Sequence, residues 1–310
     1  MDSHLELRGC KTHEELHAVV ELCDAAFDKT AKEYFERHLF NDTTLSLDDT
    51  RILLKDGVIV SSVQVFPRTI YIGGKRVLVG GIGNVATLPS ERKKGHAEKV
   101  LRDSMDYVKR KGFKVSLLTT TINEFYEKFG FKTIKRQLIH LNVLPRTDQS
   151  RVRVVDWGRD MDRVMQLYDE YNTGSTGPIV RDAAYWQTQF GFCGEDEKLF
   201  LVWEEGKEIR GYVRGSKDTD STRILEYAVR DGEEQILRTL LEDLSFRTRQ
   251  PKLEVFVSGS EKKRLPFLQL SESEVETSFM IAFFDDAFDT DIRMGSLDEG
   301  DFTFWLTDYF

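Results

Sequence analysis

The stretch from Val77 to Phe131 reads as strand, basic glycine turn, amphipathic helix, strand and short aromatic helix, and the rest of the chain has to be fitted around it. Val77–Thr87 is rich in β-branched residues and glycine, and Pro89 ends it because proline has no N–H for a ladder. From Ala97 onward, Val100, Leu101, Met105 and Val108 fall on one helical face, with Glu98, Arg102, Asp106 and Lys109 opposite. Gly112 stands where a glycine ends a helix, and Lys114–Thr120 reads as a second buried strand.

Between strand and helix lies Arg92-Lys93-Lys94-Gly95-His96-Ala97. A glycine turn that opens a helix leaves backbone N–H groups unpaired, and the helix dipole adds partial positive charge there. Such a turn is a cradle for an anion, with pyrophosphate its usual guest. Most basic glycine turns are nevertheless solvated corners, so the flanking pattern has to carry the argument.

That pattern resembles the acetyl-CoA-binding core of the GNAT superfamily of N-acyltransferases. Arg92-x-x-Gly95-x-Ala97 fits the family's Q/R-x-x-G-x-G/A loop, and Asn123-x-x-Tyr126-x-x-x-Gly130-Phe131 fits its later N-x-x-Y-x-x-x-G-F segment. The resemblance implies acetyl-CoA as co-substrate. It places Val85, Ala86 and Thr87 along the pantetheine arm, and Arg92, Lys93, Lys94, Gly95, His96, Ala97 and Glu98 around the pyrophosphate. Thr121 and Asn123 become polar contacts to the pantetheine. Tyr126 becomes the general acid, since a phenol with an ordinary pKa near ~10 is protonated at neutral pH and can hand its proton to a departing thiolate.

The chain of 310 residues is long for one core and comfortable for two. We expect an α/β (mixed-sheet α+β) protein of tandem GNAT-like domains, the first over residues 1–146 and the second over 151–310. Within the first, Leu5–Arg8 is a candidate strand, and Thr12 with Glu15 forms a candidate capping box for a helix through Phe27. A second helix near Ala31–Phe40 follows, then a hairpin turning at Asp56-Gly57. A strand at Gln137–Val143 is expected to close this domain, and Pro145–Ser150 to link it to the next.

The second half repeats the plan. Met161–Tyr171 reads as a helix, Leu199–Trp203 and Ile209–Gly215 as a hairpin, and Arg223–Val229, Glu233–Arg249 and Lys252–Ser258 as strand, helix and strand. Its turn, Arg230-Asp231-Gly232-Glu233-Glu234, is too short and sets three carboxylates at the helix start, where they would repel a pyrophosphate. The first domain is therefore expected to be active and the second degenerate. Gly177, Arg181 and Trp186 resemble the G-x(3)-R-x(4)-W segment of the Eis-like (enhanced intracellular survival) acetyltransferases. The sequence here is too short for the further sterol-carrier-like domain usual in that group. Asp285–Gly300 reads as an acidic loop and Asp301–Phe310 as a final aromatic strand.

No carboxylate lies in Val77–Leu88, so a base must come from elsewhere or the amine must arrive neutral. In Eis-like enzymes the chain's own terminal phenylalanine carboxylate enters the first domain's site, and Phe310 ends this sequence. The same residues read equally well as an edge strand, a lid or a dimer contact. The expected reaction is acetyl transfer from acetyl-CoA to an amine by direct attack in a ternary complex. The alternatives are a non-catalytic acyl-CoA-binding regulator and a transferase of the same fold using another acyl donor.

The remaining composition narrows the partners. Cys10, Cys23 and Cys193 form no pair, and the six histidines form no ligand cluster, so no metal is expected. His13 and His17 share a helical face but lack a third ligand. A net charge of −9 argues against nucleic acid as the partner. No apolar run approaches the ~20 residues of a membrane span, and the N-terminus lacks signal-peptide regions, so we expect a cytoplasmic protein acting on a small-molecule or peptide amine. The hexamers formed by Eis-like enzymes leave a homo-oligomer open.

Overall fold

The computed structural model describes residues 4–27, 31–146, 151–284 and 301–310. In the first half, β1 (Leu5–Gly9) leads to α1 (His13–Ala26), which buries Leu16, Val19, Val20 and Cys23. Thr12 caps α1, its side chain accepting from the Glu15 N–H at 3.3 Å. The Glu15 carboxylate bonds Arg8 and the Lys11 N–H, so one half of the capping box is made. The short α2 (Lys32–Glu36) continues as a π-helical turn, Arg37–Asn41.

Strands β2 (Thr50–Lys55), β3 (Val58–Ile72) and β4 (Lys75–Thr87) form a meander. Both of its turns have two successive residues at positive φ, Asp56-Gly57 and Gly73-Gly74, which matches the twist of the flanking strands. Helix α3 (His96–Arg110) then crosses one face to β5 (Val115–Thr119), which pairs parallel to β4. Gly80 lets α3 approach: a Cβ there would stand 2.9 Å from Val108 Cγ2. After β5 come α4 (Asn123–Glu127), β6 (Lys132–Thr133) and β7 (Arg136–Asn142).

The second half runs β8 (Val152–Val154), α5 (Trp157–Asn172), α6 (Ala183–Cys193), β9 (Phe200–Glu205), β10 (Glu208–Lys217) and β11 (Thr222–Val229). It continues through α7 (Glu234–Thr248), β12 (Lys252–Val257), α8 (Gly259–Arg264), β13 (Glu272–Glu276) and β14 (Phe279–Phe283). The expected helices and hairpin are present within a residue or a few at each end.

These strands form two seven-stranded mixed sheets, ordered β1-β2-β3-β4-β5-β14-β6 and β13-β7-β12-β11-β10-β9-β8. The order corrects one expectation. Strand β7 does not close the first sheet; it pairs antiparallel with β12 and β13 in the second. In exchange, β14 from the second half lies between β5 and β6 in the first sheet. The cause is visible at the start of β7. The Arg136 guanidinium is buried, pairs with Glu276 of β13 at 2.7 Å, and stacks over Phe256 of β12 at 4.5 Å. It also lies over Phe279 of β14 at 4.8 Å, but a buried charge needs an opposite charge, and its carboxylate partner, Glu276, lies in the second sheet.

The C-terminal segment is a second correction. Asp301–Trp305 is extended but unpaired in any ladder, and Leu306–Asp308 makes a 3-10 turn. Side-chain bonds and a backbone bond, from the Thr303 N–H to the Thr176 carbonyl at 2.9 Å, hold it. The acidic stretch at 285–300 and residues 147–150 of the expected linker lie outside the described residues.

Candidate functional site

The site begins where two parallel strands part. β4 and β5 pair from Val79–Val115 to Ile82–Leu118, and β4 then continues to Thr87 paired with β3 only. A bulge in the β3–β4 register, with Asn84 at φ 48°, bends β4 away. The Asn84 carbonyl faces α1, 3.9 Å from Cys23 Sγ, and its amide Nδ2 is buried without a partner. Pairing with β5 ends at Ile82, so the backbone groups of Gly83–Thr87 on that side of β4 are left for something other than β5.

Into that fork opens a cavity of about 450 Å3. Val85, Ala86, Thr87, Arg92, Lys93, Gly95, His96, Ala97, Glu98 and Tyr126 line it, which brings together most of the residues singled out from sequence. The loop geometry explains the cradle. Lys93 and Gly95 both take positive φ, 62° and 76°, and Gly95 caps α3 without any side-chain bond. Left-handed residues in such a turn aim successive N–H groups into one concavity, and the α3 dipole reinforces them.

The cations of the loop are not all free for a ligand. Lys94 pairs with Glu91 at 3.1 Å, and Arg92 donates to the Ala26 carbonyl at 2.8 Å, tying the loop to the end of α1. Glu91 also accepts from Lys55 at 3.0 Å and contacts His96 Nε2 at 3.1 Å. Hydrogen bonds from Lys55 and then Lys94 hold its carboxyl down to about 2. His96 Nδ1 is buried without a partner at the edge of the cavity.

Tyr126, on α4, lines the cavity and packs edge-on against Phe125 and Phe131. Burial alone pushes its pKa up to about 12, so it is a proton donor across the neutral range. Asn123 stands elsewhere: its side-chain amide donates to Thr133 Oγ1 and to the Thr277 carbonyl, both at 2.8 Å, locking α4 to β6 and to the approach to β14. Thr121 is exposed and, like Lys94, does not line the cavity.

Phe310 lies on the opposite face of β4. Side chains alternate along a strand, and while Gly80 faces α3, Gly81 and Gly83 face Phe310. A Cβ on Gly81 would overlap the Phe310 ring, and one on Gly83 would stand 3.0 Å from its carbonyl carbon. The ring stacks on Phe66 at 5.2 Å and meets Phe304 edge-on at 5.7 Å. The glycines of the Val77–Thr87 run therefore serve two neighbours, α3 on one face and the end of the chain on the other.

Reading the sequence missed several lining residues. Phe27 and Ala26 reach the cavity from the end of α1, and Ile122 and Phe125 from α4. Glu91 was legible only as an acid beside a basic loop, and no local pattern marks Asn84 as the bulged residue. Among the described residues no group of three or more His, Cys, Asp or Glu could hold a metal, and no helix is long and apolar enough to cross a membrane.

Comparison with known proteins agrees with this geometry. Residues 9–134 match the model of the acetyltransferase (GNAT) domain. An uncharacterized N-acetyltransferase of Streptomyces avermitilis is 24% identical over 176 residues, 51% of this chain, and the chain spans 42% of that relative's length. Two solved structures share the fold over 91% of the chain. Eis1 from Mycobacterium abscessus has a TM-score of 0.66 at 15% identity, with 74% of it covered. Saccharomyces cerevisiae N-myristoyltransferase with bound myristoyl-CoA has 0.63 at 14% identity, with 79% covered. Residues 9–134 thus match a GNAT acetyltransferase domain, within a mixed α/β fold of two sheets that the solved structures share.

Proposed function

We propose that the chain is an acyl-CoA-dependent N-acyltransferase whose donor is acetyl-CoA and whose acceptor is an amine. The observation that carries this reading is the single cavity that joins the α3 loop, the end of β4 beyond its pairing with β5, and Tyr126. The loop N–H groups between Lys93 and Glu98 would receive the pyrophosphate, with Lys93 adding charge. Backbone groups of Val85–Thr87 would pair with the pantetheine as a further strand would, which brings the thioester to the fork.

The amine reaches the fork from the face that holds Phe310. Its nitrogen attacks the thioester carbon and the C–N bond forms as the C–S bond breaks. The Phe310 carboxylate takes the proton that nitrogen loses, and Tyr126 gives its own to the thiolate. An α-carboxyl titrates near pKa ~3.5 and is ionised at neutral pH; the role requires Phe310 to bear that free carboxylate. Backbone N–H groups of β4 after the bulge would be the donors for a developing oxyanion.

The test is calorimetry with acetyl-CoA, followed by a free-thiol release assay over amines, polyamines and peptides. Micromolar binding and amine-dependent thiol release are expected. Binding without release would turn the reading into that of an acyl-CoA sensor, and release only with longer acyl chains would change the donor. The likeness to a myristoyl-CoA-binding fold is the reason to include such chains.

A further inference from the structure

The second sheet has a fork of its own. β11 and β12 pair parallel only at Thr222–Leu253 and Arg223–Glu254, and both strands then continue apart. A bulge in the β10–β11 register falls just beyond the last pair, as the β4 bulge does in the first sheet. The corresponding loop, Arg230–Glu233, carries carboxylates engaged with Arg210 and Arg264. This second fork holds the chain's own C-terminal segment.

The contacts run in order along both arms. The Thr303 hydroxyl donates to Ser258 Oγ at 3.0 Å, just past β12. Trp305 Nε1 donates to Asn172 at 3.0 Å, its ring 5.0 Å from that of Tyr227 on β11. The Thr307 hydroxyl donates to Glu226 on β11 at 2.5 Å, and the Thr307 carbonyl accepts from Gln189. A Cβ on Gly177, at φ 114°, would run into the Thr303 carbonyl.

Arg181 closes the clasp. Its guanidinium has no exposed side-chain surface, lies over the rings of Tyr168 (4.0 Å) and Trp186 (4.4 Å), and donates to Glu226 at 2.5 Å and Asp308 at 2.6 Å. Burial pushes the Glu226 carboxyl up, but Arg181 and Arg214 outweigh it and hold it at about 2. A charge this deep is tolerated only when paired, so Arg181 fixes Asp308 with the stringency of a buried ion pair. Two residues of chain span at most about 7 Å, so fixing Asp308 confines Phe310.

We propose that Arg181 is a positioning residue: it seats the C-terminal segment in the second fork, where the first fork takes its acyl donor, and so places Phe310 at Gly81 and Gly83. The second sheet thus binds a peptide of its own chain. The kinetic consequence rests on the acyltransferase reading; the seating does not.

Three measurements on the full chain test this in Arg181→Gln: hydrogen–deuterium exchange of the peptide covering 301–310, calorimetry with acetyl-CoA, and kcat for thiol release. Exchange of that peptide should quicken at least tenfold and kcat fall at least tenfold, while acetyl-CoA affinity stays within twofold. Arg181→Lys should recover part of both losses. Should Arg181→Gln not fold, Asp308→Asn combined with Thr307→Val releases the segment from the other side and leaves Arg181 paired with Glu226. Unchanged exchange in either variant overturns the seating, and a loosened segment with unchanged kcat overturns the positioning role. A wild-type protein inactive with every amine sinks the acyltransferase reading alone, because exchange still reports the seating.

Discussion

Gly83→Ala tests the placement of Phe310 against a matched control. The new Cβ would stand 3.0 Å from the Phe310 carbonyl carbon, 3.2 Å from its oxygen and 2.9 Å from Phe66 Cε2. Carbon atoms rest about 3.5–4.0 Å apart, so the end of the chain must retreat by about 0.5–1 Å. Overpacking of this kind costs about 1–3 kcal/mol of stability. Gly80→Ala is an insult of the same size to the other face of β4, 2.9 Å and 3.1 Å from the Val108 methyls, and leaves Phe310 untouched. The two variants should therefore lose similar amounts of thermal stability.

Their kinetics should diverge. Misplacing a catalytic group by about 1 Å costs on the order of 100-fold in rate. Thiol release by Gly83→Ala should fall about 10- to 100-fold in kcat with the acetyl-CoA KM little changed, whereas Gly80→Ala should keep kcat within about threefold. Equal kcat values in two folded variants would refute the placement of a working group at Phe310. A loss of acetyl-CoA affinity specific to Gly83→Ala would show instead that the crowding is felt on the donor side.

Tyr126→Phe should lower kcat by about 100-fold or more without weakening acetyl-CoA binding, as expected for loss of a general acid. Because burial raises the phenol to about 12, its working protonated form is present below that value and lost only as pH rises through it. The kcat profile should then show no alkaline decline from this group between pH 6 and 10; a decline centred near 8 would exclude Tyr126 as the donor. Calorimetry should return one acetyl-CoA per chain, since the second fork is filled, and a stoichiometry of two would contradict that occupancy. Burial raises the thiols of Cys10, Cys23 and Cys193 to about 12, so the native protein should react with Ellman's reagent far more slowly at pH 8 than the unfolded chain. Rapid labelling of the native protein would show that these thiols are not protected as described.

What the sequence discloses here is what local chemistry determines. The run from Val77 to Phe131 is legible because β-branching, a glycine turn and a 3.6-residue period act within a few residues, and the α3 loop and Tyr126 fall within it. Strand β7 is readable as a strand but its partners are not, because a short apolar strand looks alike in either sheet, and β14 (Phe279–Phe283) was not singled out at all. Arg136 marks the choice only once Glu276 and Phe256 are known to be beside it. The tail failed differently. Alternating aromatic and threonine residues favour a strand, yet what places Thr303, Trp305 and Thr307 is their side-chain bonding to Ser258, Asn172 and Glu226, distant partners that no local pattern marks. Asn123 fits the motif, but its amide locks α4 in place rather than facing the cavity.

The exchange of β7 for β14 has a consequence for how the molecule comes into being. On the ribosome, β5 is made long before the strand that must lie beside it, with about 160 residues separating Thr119 from Phe283. At a translation rate of roughly 5–20 residues per second, the far edge of β5 waits on the order of 10–30 s for its neighbour. Throughout that interval the nascent first half exposes an apolar strand edge, and its β7 has no sheet to join. Neither half can complete its sheet vectorially, because the first sheet closes only when β14 at Phe279–Phe283 is made.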